Sequence, residues 1–185
     1  MLRPRWLNAA VSLTLLRIAL IPPVIELMRN GNFLWALAVF SLAGVSDALD
    51  GYVARRFHQV TALGALLDPI ADKLLIMASV LMLAWLGWIP WWLTAMMIAR
   101  DALIAGGALI YRLVAGRLQM APTGLSKINT FSQLSLIVLV LAQQGGLIDG
   151  ALPWPYLFAV VAMTTAVSGI HYVWMWGRKA AAVEW

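Results

Sequence analysis

The chain has 185 residues, of which 63% are hydrophobic and only 11% charged, with a formal net charge of +5 at pH 7. Soluble domains sit nearer ~45–50% apolar and ~25% charged, so this composition excludes a disordered, fibrous or nucleic-acid-binding protein and points to an integral membrane protein. The absence of cysteine removes disulfides, thiolate metal sites and cysteine nucleophiles together.

A helix crossing a bilayer core needs ~20 mostly apolar residues. Polar and Pro/Gly punctuation divides the chain into such segments at Leu7–Met28, Phe33–Arg55, Ala62–Leu86, Trp91–Tyr111, Leu125–Gln143 and Pro155–Trp176. The first could mimic a signal peptide, because Arg3 and Arg5 precede it. It is too long, carries Arg17 and lacks a small-residue cleavage site before Pro22-Pro23, so it reads as the first helix. Asp47 and Asp50 fall in the second segment, Asp68, Asp72 and Lys73 in the third, Arg100-Asp101 in the fourth and Lys127 in the fifth. Trp88, Trp91, Trp92, Trp154, Tyr156, Tyr172, Trp174 and Trp176 cluster near segment ends, as an interfacial aromatic belt does. No internal repeat, low-complexity stretch or soluble domain interrupts the series. The expectation is an all-α membrane protein in which residues 1–185 form a single domain of six transmembrane helices.

Orientation follows from the basic residues. With a cytoplasmic N-terminus, that side collects Arg3, Arg5, Arg55, Arg56, Arg112, Arg117, Arg178 and Lys179, and only Arg29 lies near the other. That is a positive-inside pattern with both termini cytoplasmic. The net positive charge then meets anionic headgroups, and no nucleic acid is needed.

Ionisable groups within spans are the informative residues, since each costs ~2.5–3.5 kcal/mol at mid-bilayer on insertion scales. Asp47, Asp50, Asp68 and Asp72 fall within 26 positions. Spacings of three and four put each pair on one helical face, and the short connection makes the two helices antiparallel neighbours. Carboxylates converging there repel unless cations join them, and all-oxygen donors favour Mg²⁺, with Mn²⁺ as a substitute. A structural polar knot, or the cation route of a transporter, fits the same spacing. Gly51, Ala54 and Gly64 leave room for a ligand beside these helices, although small residues also serve helix–helix contact. Arg55 offers a planar fork suited to phosphate. His58 reads as solvated in a turn, Glu26 and Asp149 as solvent-facing on the far side, His171 as lying among aromatics near the end of the last helix with no identifiable partner, and Arg17 as facing the bundle interior toward a partner the sequence does not name.

The stretch Asp47-Ala-Leu-Asp50-Gly51-Tyr-Val-Ala54-Arg55, followed after eight residues by Gly64-Ala-Leu-Leu-Asp68-Pro-Ile-Ala-Asp72, resembles the signature of the CDP-alcohol phosphatidyltransferases at all eight fixed positions. The resemblance implies an enzyme that moves a phosphatidyl group from a CDP-linked donor to an alcohol with release of CMP, as a homodimer with a two-metal site. It implies Asp47, Asp50, Asp68 and Asp72 as metal ligands, Asp72 as general base, and Asp47, Gly51, Ala54, Arg55 and Gly64 around the CDP portion. It also implies the inner membrane of a bacterium, with the site facing the cytoplasm.

Arg100-Asp101, the segment Ala121-Pro122-Thr123…Ser126-Lys127-Ile128-Asn129-Thr130 and the ending Thr164-Thr165-Ala166…Gly177-Arg178-Lys179 are similar to those of CDP-alcohol-type cardiolipin synthases. That implies CDP-diacylglycerol as donor and phosphatidylglycerol as acceptor, with Arg100 and Lys127 as acceptor-phosphate ligands. The phosphatidylglycerophosphate synthases, which use glycerol 3-phosphate, share Asp68-Pro69…Asp72-Lys73 and the spacing of Lys127, Thr130 and Gln133. They usually carry Glu after the arginine, where this chain has Asp101, and often an Asn where it has Val11.

Overall fold

A computed structural model describes the backbone of residues 9–56, 62–115 and 123–181, and the side chains of 15–46, 71–108, 123–176 and 178. The described residues form α1 (Ala9–Arg29), α2 (Phe33–Arg56), α3 (Ala62–Trp85), α4 (Trp91–Ala115), α5 (Gly124–Gln144) and α6 (Trp154–Ala181), with no strand among them. Each corresponds to one apolar segment of the sequence. Among the described residues two stretches, α5 and the Trp154–Trp176 part of α6, are long and apolar enough to cross a membrane. Of the residues that set orientation, Arg3, Arg5, Arg55, Arg56, Arg112, Arg117 and Lys179 lie outside the described side chains.

The chain divides into two compact units, Met1–Trp88 with Ile137–Gly150, and Ile89–Leu136 with Ala151–Trp185. In the first, α1 packs against both α2 and α3. Its interior is almost wholly apolar: Val24, Met28, Phe40, Leu83, Ile137 and Leu141 are buried. Close packing of these side chains against one another holds the helices of this unit together. Pro22 and Pro23 lie inside α1 and each withholds a backbone donor. A proline inside a water-exposed helix costs ~3 kcal/mol, but in a helix flanked by others neighbouring groups re-satisfy the freed carbonyls.

Helix ends in this unit share one device. Past α1, Gly31 adopts φ +74°, its N–H donates to the Met28 carbonyl at 3.1 Å, and Asn32 N–H donates to Leu27 at 2.9 Å. This Schellman closure requires a left-handed residue, which glycine supplies without a Cβ clash. The same pair of bonds recurs at Gly87 and Gly146. Gly145 serves differently: a Cβ there would lie 2.9 Å from the Leu141 carbonyl oxygen and 3.0 Å from the Leu34 amide nitrogen. The end of α5 therefore meets the start of α2 backbone to backbone.

In the second unit α4 packs against α6, and the interior is polar. Arg100, Asn129, Gln133, Thr165 and Ser168 are all buried beside Leu93, Leu136 and Val161. Thr123 caps α5, its Oγ1 accepting from Ser126 N–H at 3.3 Å, a bond that replaces a missing helical partner.

Large apolar side chains face outward on both units, among them Trp35, Phe131, Met163 and Ile170, each more than 65% exposed. Water does not support such surface on a stable monomer, whereas a bilayer does. Trp88, Trp91, Trp92, Tyr156 and Trp174 are exposed as the belt reading expects. Tyr172 departs from it. It is buried, with the Arg100 guanidinium 5.8 Å from its ring centroid, because a cation sealed among helices recruits the nearest ring face.

Candidate active site

α2 runs unbroken through Asp47, Asp50, Gly51, Ala54 and Arg55, and α3 through Gly64, Asp68 and Asp72. The helical backbone places each aspartate pair on one face of its helix. The side chains of Asp47, Asp50, Gly51, Ala54, Arg55, Gly64 and Asp68 lie outside the described residues, as does His58. Among the described side chains no three His, Cys, Asp or Glu residues gather to hold a metal.

Asp72 is described, and it has a partner. Its Oδ1 accepts a hydrogen bond from Arg17 Nη1 on α1, and the two form an ion pair. The side chains differ sharply in exposure, 4% for Arg17 and 43% for Asp72. A guanidinium buried without a counter-charge is untenable, and removing one partner of a buried pair typically costs ~3–5 kcal/mol. Arg17 thus sits behind Asp72, which presents its carboxylate on the open side. Lys73, next along α3, is exposed.

In the second unit Arg100 is a hub. Nη1 donates to Asp101 Oδ1 at 2.7 Å, and Nη2 donates to Ser126 Oγ at 2.8 Å and Ser168 Oγ at 2.5 Å. One residue of α4 thereby ties to α5 and α6. Arg100 Nε, Asn129 Nδ2 and Gln133 Nε2 are buried without a hydrogen-bond partner, while Asn129 Oδ1 accepts from Thr165 at 2.8 Å and Thr164 at 3.2 Å. Arg100 also lines an apolar groove of about 570 Å³ with Met96, Leu103, Gly169, Ile170 and Trp174. Lys127 is exposed near the start of α5.

The described side chains therefore place Asp72 in the first unit and Arg100 with Lys127 in the second. Sequence reasoning missed the partner of Arg17, 55 residues away, and the role of Ser168, for which no spacing gives a signal. Ser126 and Asn129 sit one helical turn apart in a segment already singled out for its motif, and both are now engaged. Glu26 is exposed with Arg29 at 3.7 Å and Asn30 at 3.0 Å, and Asp149 is exposed, as expected. His171 lies 6.1 Å from the Trp174 ring.

Known proteins are similar to this chain over nearly its whole length. The CDP-alcohol phosphatidyltransferase family model matches residues 7–176. A cardiolipin synthase (CMP-forming) of Rattus norvegicus is 35% identical over 207 aligned residues, covering 97% of this chain and 68% of that protein. The Homo sapiens protein of the same name is 35% identical over 187, covering 92% and 62%. A probable phosphatidylglycerophosphate synthase of Mycobacterium tuberculosis is 34% identical over 179, covering 92% and 82%. The chain spans about two thirds of the mammalian proteins it matches. It belongs to the CDP-alcohol phosphatidyltransferase family.

Proposed function

We propose that this phospholipid-synthesising enzyme transfers a phosphatidyl group from CDP-diacylglycerol to phosphatidylglycerol, forming cardiolipin and CMP. The observation that carries the reading is the complete eight-position signature on α2 and α3, within a chain similar along most of its length to cardiolipin synthases. Family membership leaves the cation-transport alternative without support.

Asp47, Asp50, Asp68 and Asp72 would hold two Mg²⁺ ions, with Mn²⁺ as a substitute. The all-carboxylate donor set suits hard cations, and the half-exposed Asp72 is reachable by one. When bound, such ions neutralise a diphosphate and stabilise its entering and leaving oxygens. Asp47, Gly51, Ala54, Arg55 and Gly64 surround the CDP portion, with Arg55 on the diphosphate. Asp72 takes the proton of the acceptor hydroxyl as that oxygen attacks the phosphatidyl phosphorus and the bond to the CMP oxygen breaks. Lys127 presents its ammonium to the acceptor phosphate, and Arg100 faces it through the groove it lines.

Residues 1–185 act as one domain of six transmembrane helices with both termini cytoplasmic, in the inner membrane of a bacterium, with the site open to the cytoplasm. The chain works as a homodimer. Phosphatidylglycerophosphate synthesis from glycerol 3-phosphate is the second reading, favoured by the Mycobacterium tuberculosis relative.

The deciding experiment gives purified protein CDP-diacylglycerol with either phosphatidylglycerol or glycerol 3-phosphate, and identifies the lipid product by mass spectrometry. Cardiolipin in the first arm alone supports the proposal. Phosphatidylglycerophosphate in the second arm alone replaces it with the alternative.

A further inference from the structure

The structure assigns Arg17 as a positioning residue for Asp72, an assignment that rests on the reading of Asp72 as base and metal ligand. Arg17 projects from α1, which packs against both α2 and α3, the two helices that carry the aspartates. It is sealed from outside, and its Nη1 binds Oδ1 of a carboxylate that is 43% exposed. Arg17 thus bears on the open side of the site through the carboxylate it holds. An aspartate side chain has few torsions, and anchoring one oxygen restricts the rotation of the carboxylate that would otherwise blur its aim. The guanidinium also places a fixed positive charge behind a carboxylate that stands one helical turn from Asp68 on α3.

Both effects have a signature distinct from structural support. Loss of aim lowers kcat, and because a misplacement of ~1 Å can cost ~100-fold in rate, Arg17→Gln should lower kcat by about that factor. A positioning residue touches neither donor nor acceptor, so both KM values should stay within about threefold of wild type. Removing a positive charge beside carboxylates makes a divalent ion no less welcome. Mn²⁺ binding, followed by electron paramagnetic resonance without substrate, should hold or tighten. Arg17→Lys keeps the charge but replaces a planar fork by a flexible ammonium, and should recover about tenfold of the loss.

The experiment measures kcat, both KM values and Mn²⁺ affinity for Arg17→Gln, Arg17→Lys and Asp72→Asn, with Arg29→Gln as a surface control. A kcat loss at held KM and held Mn²⁺ affinity, partly recovered by lysine, supports the assignment. Unchanged kcat in Arg17→Gln overturns it, as does a loss of Mn²⁺ binding in step with kcat. Should Arg17→Gln fail to fold, Arg17→Lys decides: reduced kcat at held KM supports the assignment, and wild-type kcat overturns it. Full turnover in Asp72→Asn, or no Mn²⁺ binding by wild type, instead removes the underlying reading of Asp72.

Discussion

The two units bury charge in opposite ways. In the first, an apolar interior holds one arginine whose carboxylate partner is half open to the outside. In the second, the buried arginine is closed in by Asp101, Ser126, Ser168 and the ring of Tyr172. A cation whose counter-charge stays reachable is suited to chemistry, whereas a cation bonded from three helices holds those helices together and keeps its unpartnered Nε for the proposed acceptor phosphate. The contrast explains how one small membrane protein can carry ionisable groups in both halves for different ends.

Chelation and substitution should break that contrast most visibly in the first unit. Removing divalent ions with EDTA, or Asp72→Asn, should lower CMP release by ~100-fold to 10,000-fold, the usual range for losing a positioned acid or base. The variant should also unfold at a lower temperature in mixed micelles, because an Asn oxygen still accepts from Arg17 but takes a counter-charge away from that buried guanidinium. Addition of Mg²⁺ should restore the chelated enzyme and leave the variant inactive.

Arg100→Ala tests the other half. It takes the guanidinium away from Asp101, Ser126 and Ser168 at once, and should destabilise the protein by ~3–5 kcal/mol, read as a fall in unfolding temperature. A variant of wild-type stability would show that the hub is ornamental. Gly31→Ala, at φ +74°, should cost ~1–2 kcal/mol by forcing a Cβ into left-handed backbone, with turnover retained at temperatures where the variant is folded. Thr165→Val keeps shape but removes the hydroxyl that bonds Asn129 and Val161. Bonds between membrane helices average only ~0.6 kcal/mol, so this should be the smallest shift, resolvable by a double-mutant cycle with Asn129→Ala.

Much of this architecture was legible from residue order. Apolar runs interrupted at Asn30-Gly31, Gly87 and Gln144-Gly145-Gly146 gave every helix to within a few residues, because a bilayer demands length and glycine supplies the stop. The extension of α6 past Trp176 to Ala181 went unread, since polar residues beyond a span continue a helix as easily as they end it. Pairing across helices was less visible. Arg17 and Asp72 lie 55 positions apart, and no periodicity within either helix announces the other. Tyr172 misled for a related reason: an aromatic near a helix end sits at the interface only if no buried cation nearby claims its face. Asp47, Asp50 and Asp68 stay at the level of helix and register, where spacing had already put them.

Gly145 carries a consequence for anyone altering this protein. Where two chains of peptide touch with nothing between them, even a methyl acts as a wedge, and the nearest atoms belong to main chain that cannot swing aside. Saturation mutagenesis should find position 145 intolerant of every replacement, while Gly44 and Gly106, which face open space, accept alanine. A residue remote from the chemistry would then look as indispensable in a genetic screen as the aspartates themselves.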